Sequence, residues 1–139
     1  MFFVALDGDY PHAQVAVRDI VRAAVRWLTD PQWRGVEGVG VLGPVEVTNN
    51  EIAGMLSEAL GKPIRFKALS KEENLKNLMQ FGISEALANG VAEMYDAIGK
   101  GLFDAEARTP QTTTPTTLPE WLQAVFLPAM RRPTEPERG

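Results

Sequence analysis

Apolar residues recur along this chain in two rhythms. Phe2, Phe3, Val4, Ala5 and Leu6 form a short continuous run of the kind a buried strand shows. Val15 and Val17 alternate about Ala16 with period two and predict a second strand. From Asp19 the period changes. Ile20, Ala23, Ala24, Trp27 and Leu28 fall on one helical face, which predicts a core-facing helix that stops at Thr29-Asp30-Pro31. Asp19 lies in the first turn of that helix, where a carboxylate can accept unpaired backbone N–H groups and meet the positive end of the dipole. Val39 and Val41 alternate with glycines and predict a strand over Gly38 to Leu42. Ile64, Phe66 and Ala68 alternate with Arg65, Lys67 and Leu69, a short strand with one apolar face.

The remaining helices are announced by their starts. Thr48-Asn49-Asn50-Glu51, Ser70-Lys71-Glu72-Glu73 and Thr117-Leu118-Pro119-Glu120 each place a hydroxyl three residues before a glutamate, so the two can satisfy each other's backbone N–H groups. The first opens a stripe of Ile52, Met55, Leu56, Ala59 and Leu60, closed by Gly61 and Pro63. The second opens one with Leu75, Leu78 and Met79 inward, ended near Gly82. Ser84 can cap a helix whose stripe is Leu87, Val91, Met94, Tyr95 and Ile98, and the short link between these two helices predicts a packed hairpin. The third box starts a last helix with Trp121, Leu122, Val125 and Phe126 on its apolar face, ended or kinked by Pro128. Between them, residues 104–117 are rich in Thr and Pro and read as an extended, locally stiff loop with little helix. The sum is a mixed α/β fold with a few short strands and about five helices, a single domain over residues 1–130 and a charged, disordered tail over 131–139.

Composition narrows the classes. The chain has 139 residues, no cysteine and a net charge of −4. A disulfide framework and a thiolate metal site are excluded, and the acidic balance argues against a nucleic-acid surface. Arg18, Arg22 and Arg26 form one stripe on the first helix, which reads as a solvated face. No apolar stretch reaches the ~20 residues of a membrane span, so no membrane is expected and the cytoplasm is the expected location.

Chemistry is sparse. His12 is the only histidine, too few for a zinc site, and is a candidate pocket residue because it directly precedes the central strand. Gly38-Val39-Gly40-Val41-Leu42-Gly43 spells Gly-x-Gly-x-x-Gly, but Pro44 and Val45-Glu46-Val47 follow it. The dinucleotide fingerprint needs a helix opening at the glycines, so this stretch reads as strand and binds no cofactor. A Tyr with a Lys four residues on, whose cation would lower the phenol pKa for acid–base work, is absent: Tyr10 is followed there by Gln14 and Tyr95 by Gly99. No catalytic residue and no metal ligand set is assigned.

Asp7-Gly8-Asp9, then Val15-Ala16-Val17-Arg18-Asp19-Ile20, then Leu42-Gly43-Pro44 and Thr48-Asn49-Asn50-Glu51 resemble the C-terminal half of NmrA-like proteins, atypical members of the short-chain dehydrogenase/reductase superfamily. The resemblance runs to about Met130 and is made of order and spacing, not of a catalytic signature. It implies a substrate lobe that binds a small organic molecule or a partner, as half of a site whose NAD(P)-binding half is not in this stretch. It also implies that the helices after the Ile64–Leu69 strand cover the substrate cleft. Met79, Phe81, Met94 and Tyr95, which as residues alone read as core, then become candidate substrate-binding residues beside His12. Two other functions stay open: a stand-alone ligand-binding module, and an assembly domain that dimerises through a former interdomain face. Unpaired strand edges and an apolar face make a homodimer the expected state.

Overall fold

The computed structural model describes residues 1–36, 38–104 and 107–131. Its elements in chain order are β1 (Phe2–Val4), β2 (His12–Ala13), α1 (Val17–Leu28), β3 (Glu46–Val47), α2 (Asn49–Leu60), β4 (Phe66–Ala68), α3 (Lys71–Gln80), α4 (Glu85–Gly99) and a C-terminal helix. That last helix runs as α5 (Leu118–Trp121), a wide turn over Leu122–Phe126, and α6 (Leu127–Arg131). The mixed α/β class follows as expected, and the expected tail falls almost entirely on residues 132–139, outside the described ones. No helix among the described residues is long and apolar enough to cross a membrane.

Strand pairing is minimal. β1 runs parallel to β4, with Phe2 opposite Phe66 and their rings 5.2 Å apart. β2 runs antiparallel to β3, with His12 opposite Val47 and Ala13 opposite Glu46. The apolar run at the N-terminus pairs only over Phe2–Val4, shorter than its five residues predict.

Three of the predicted caps have the predicted geometry. Thr48, Ser70 and Thr117 each accept the N–H of the glutamate three residues on, and each glutamate returns the bond to the cap's own N–H. Ser84 accepts from Leu87 N–H at 3.4 Å. α2 closes on Gly61 at φ 62°, the left-handed position that glycine takes without strain. α3 and α4 pack as the expected hairpin.

Several expectations are corrected. The Val15–Val17 strand does not form. No neighbouring strand pairs with it, since the ladder in this region belongs to His12–Ala13 and Glu46–Val47, and Ala16 becomes the extended residue in front of α1. The inward face of α1 is also different. Asp19 is 2% exposed, and Ala23 and Trp27 are half-buried, whereas Ile20, Ala24 and Leu28 face outward, Leu28 being 74% exposed. The Asp19 carboxylate accepts the Thr116 N–H at 3.1 Å, and this bond fixes which side of the helix meets the protein. Asp19 is therefore not the N-terminal cap of α1, which has no side-chain cap. On α4, Ala88 and Ala92 are buried with Ile98, while Leu87 and Met94 are exposed. Alanines at the contact let the facing helix come close, and the larger side chains are turned away.

Gly38–Leu42 forms no ladder. Leu42 alone bridges to Thr113, its N–H donating to the Thr112 carbonyl and its carbonyl accepting from Thr114 N–H, each at 2.7 Å. Pro128 does not end the last helix. It lacks an N–H and crowds the carbonyl four residues back. The turn before it widens so that Leu127 N–H reaches the Leu122 carbonyl, and the helix continues to Arg131.

Candidate functional site

A cleft of about 760 Å³ opens where β2, β3, the segment before β3 and the segment after α4 converge. Its polar residues are Tyr10, His12, Glu46, Asp104 and Arg108; its apolar walls include Val39, Leu42 and Phe103. Two tight turns put them there. In the first, the Asp7 carboxylate accepts Asp9 N–H at 2.8 Å, and Tyr10 N–H donates to the Asp7 carbonyl at 3.3 Å. The turn is pinned to the start of α2 by Asn50, whose N–H donates to the Gly8 carbonyl at 3.1 Å and whose amide donates to Asp9 at 2.7 Å. An added Cβ at position 8 would lie 2.8 Å from the Asn50 amide nitrogen, so any other residue there would displace the Asn50 side chain from this contact. The chain leaves this turn directly into β2, carrying His12 into the cleft.

The second anchor is the threonine-rich segment after residue 106. Thr109 and Thr112 tie their own turn, and Thr114 donates its hydroxyl to the Leu42 carbonyl at 2.9 Å. Far from being a solvated loop, this segment buries Thr114 and Thr116. It delivers Arg108, whose guanidinium donates to the Gly43 carbonyl and lies 4.0 Å from the Glu46 carboxylate.

Inside the cleft the groups engage one another. The Tyr10 hydroxyl donates to Asp104 at 3.3 Å, and the His12 ring nitrogen Nδ1 lies 3.1 Å from the Tyr10 carbonyl. Burial, together with the neighbouring Asp104 and Glu46 charges, holds the Tyr10 pKa above its ordinary value, so the phenol stays protonated. No catalytic step is assigned to it.

Of the candidate residues read from the sequence, His12 lines this cleft. Met79, Phe81, Met94 and Tyr95 do not. They lie on the α3–α4 hairpin, with Met79, Phe81 and Met94 exposed, and none lines the cleft. Tyr10, Glu46, Asp104 and Arg108 were missed. Tyr10 could have been found, since it sits two residues before His12 in the same turn. The Tyr10–Asp104 contact spans 94 positions and the Arg108–Gly43 contact 65, separations that no local pattern reports.

The glycines at 38–43 do not fit a dinucleotide phosphate. No helix opens at them. Gly43 is explained by packing instead, because an added Cβ would lie 1.8 Å from the Gln14 carbonyl oxygen. No group of three or more His, Cys, Asp or Glu able to hold a metal occurs among the described residues.

A second junction supports the cleft from behind. The buried Asp19 carboxylate takes Thr116 N–H on one oxygen and the Arg22 guanidinium, at 3.2 Å, on the other, while Arg18 donates to the Thr116 hydroxyl at 3.0 Å. Burial alone would raise the Asp19 pKa; the Thr116 hydrogen bonds and the Arg22 and Arg18 charges outweigh it and hold it below its ordinary value. Of the three arginines that read as a solvated stripe, Arg18 is thus a tether to Thr116, while Arg22 pairs within its own helix and stays exposed.

Comparison with known proteins finds similarity to reductases. Over 94 residues the chain is 32% identical to an NAD(P)H azoreductase of Xenophilus azovorans, covering 68% of this chain and 32% of that protein. Among solved structures, the triphenylmethane reductase of Citrobacter superposes with a TM-score of 0.62 at 26% identity, over 89% of this chain and 44% of its own. An NADPH-dependent quinone oxidoreductase of Escherichia coli superposes with a TM-score of 0.67 at 23% identity, over 90% of this chain and 46% of its own. No family model matches the chain. The chain belongs to the NmrA-like atypical short-chain dehydrogenase/reductases, as a match to their C-terminal part. It spans about a third of the length of the azoreductase and under half of each of the two solved reductases.

Proposed function

We propose that this chain is the substrate lobe of an NmrA-like NAD(P)H-dependent reductase. It walls a cleft for a small organic molecule, while the dinucleotide is held by a separate nucleotide-binding part. The observation that carries this reading is the cleft itself: apolar walls, a few convergent polar groups, and two rigid turns that hold them in place. The Citrobacter reductase has been solved with NADP(H), and the relatives act by reduction, which supports the chemistry on the far side of the cleft. The lobe performs no hydride transfer by itself. Its residues bind and orient the acceptor, and the nicotinamide supplies the hydride where it is bound. The cytoplasm, where NAD(P)H is plentiful, is its location.

The outward face of α1 favours a second element of the same reading. Val17, Ile20, Val21, Ala24, Val25 and Leu28 recur at helical spacing and are all exposed. A stripe of this kind marks a contact surface. In the whole reductase the nucleotide-binding part covers it; in the isolated chain a second copy does, giving a homodimer.

The test uses the 139-residue chain with amide-detected NMR. Addition of 2-naphthol, a small planar aromatic, is expected to shift the signals of Tyr10, His12 and Asp104 and leave those of α3 unmoved. Shifts confined to Met79, Phe81 and Met94 would move the site to the hairpin. NADPH added alone is expected to bind more weakly than the low micromolar range, about −8 kcal/mol. Low micromolar binding would overturn the division of labour.

A further inference from the structure

The cleft has a hydrogen-bonding polarity, which goes beyond its shape. A carbonyl oxygen only accepts, so the His12–Tyr10 contact at 3.1 Å requires a proton on Nδ1. In the neutral ring this leaves Nε2 as a bare acceptor, and no partner for Nε2 is found among the described residues. The Tyr10 hydroxyl is given to Asp104, while Arg108 donates one N–H to the Gly43 carbonyl and lies 4.0 Å from the Glu46 carboxylate, keeping further N–H groups. The acceptors of the cleft are His12 Nε2 and the Asp104 and Glu46 carboxylates, with Val39 and Phe103 in its apolar lining.

From this geometry we infer that the cleft selects flat aromatic molecules carrying a hydrogen-bond donor, a phenol or an aromatic amine, and that His12 Nε2 receives that donor. The inference rests on the reading of the cleft as a substrate site. A buried acceptor left without a donor is unfavourable, so an otherwise identical ligand lacking the proton is disfavoured. Phe103 and Val39 take the aromatic faces and contribute no discrimination between the two.

The test compares 2-naphthol with 2-methoxynaphthalene at pH 8. The phenol is expected to bind about three- to ten-fold tighter than its methyl ether, the range one net hydrogen bond supplies. His12→Asn keeps a donor for the Tyr10 carbonyl but has nothing at the Nε2 position, and is expected to erase the preference. His12→Gln, which reaches that position, is expected to retain part of it. Because His12 is the only histidine in the chain, its ¹⁵N spectrum is unambiguous. Nδ1 should be pyrrole-like and Nε2 pyridine-like, the latter shifting when the phenol binds. Equal binding of phenol and ether, or a pyrrole-like Nε2, overturns the inference and leaves the substrate-lobe reading standing. If neither aromatic binds the cleft, both fall together.

Discussion

Helices α1 and α2 are twelve residues each and amphipathic, yet they stand in opposite relations to the rest of the molecule. α2 is closed by a capping box and a left-handed glycine, buries Ala53, and keeps Ile52, Met55, Leu56 and Leu60 half-covered. α1 has no side-chain cap and turns its apolar stripe to solvent. It is held to the protein on the other side, through Asp19, Ala23 and Trp27. The pattern of apolar residues says that a helix has an apolar side. It does not say that the partner for that side lies within the same stretch of chain. For α2 the partner is local. For α1 it is not, and a buried carboxylate bonded to Thr116 holds the helix in place of apolar packing.

The rest of the molecule fits this contrast. The fully covered apolar residues are Ala16, Val47, Ala53, Ala88, Ala92, Ile98 and Leu122, most of them small. Large apolar side chains such as Phe81, Leu87 and Phe103 remain exposed. Such a thin core is what one half of a two-part structure would have, and it concentrates stability in few positions.

The contrast can be broken at its strongest point first. Leu122 is 3% exposed, and Leu122→Ala is expected to cost about 2–5 kcal/mol in a urea melt. Leu28→Ala on the open face of α1 should cost no more than about 0.5 kcal/mol in a solution dilute enough to prevent association. If the two variants melt alike, the division into covered and uncovered apolar faces is wrong.

The next largest effect is at Asp19. Asp19→Ala removes the acceptor of the Thr116 N–H and the Arg22 partner, and is expected to cost about 1–3 kcal/mol. The pH dependence has a definite sign. The folded pKa lies below the ordinary value, so the unfolded chain binds the proton more readily. The contribution is complete above the ordinary carboxylate range, about pH 4 and higher, and is lost as pH falls through the folded pKa. Asp19→Asn should flatten this acid limb of the stability profile. A profile identical to that of the parent would mean that the carboxylate is not held as described.

A smaller effect is expected at the cap of the contrasting helix. Thr48→Ala opens the box with Glu51 and should cost about 1 kcal/mol. No loss on chemical denaturation would show that α2 is held by packing alone.

These outcomes also explain what could be read from the residues in advance. The capping boxes at Thr48, Ser70 and Thr117 are local in sequence, so their helices were predictable to within a residue or so. The α3–α4 hairpin was predictable for the same reason. The strand expected at Val15–Val17 and the face expected of α1 failed for want of distant information: the local ladder belongs to His12–Ala13 and Glu46–Val47, and the face of α1 is set by Thr116, almost a hundred positions away. The site divided along the same line. His12 was visible because it is unique and next to a turn, whereas Asp104 and Arg108 reach the cleft from a loop whose position only the fold defines. Met79, Phe81, Met94 and Tyr95 read as core by their spacing and became site candidates only through the family resemblance; they share the α3–α4 hairpin and do not line the cleft.

The outward stripe of α1 is proposed as a contact surface between copies of the chain. Size-exclusion chromatography with light scattering, run over a wide range of concentrations, tests it directly. The parent chain should approach the mass of two copies as concentration rises, and Val21→Glu, which puts a charge in the middle of the stripe, should stay at the mass of one. A parent that keeps the mass of a single chain at every concentration would contradict the claim and leave α1 as an ordinary solvent face.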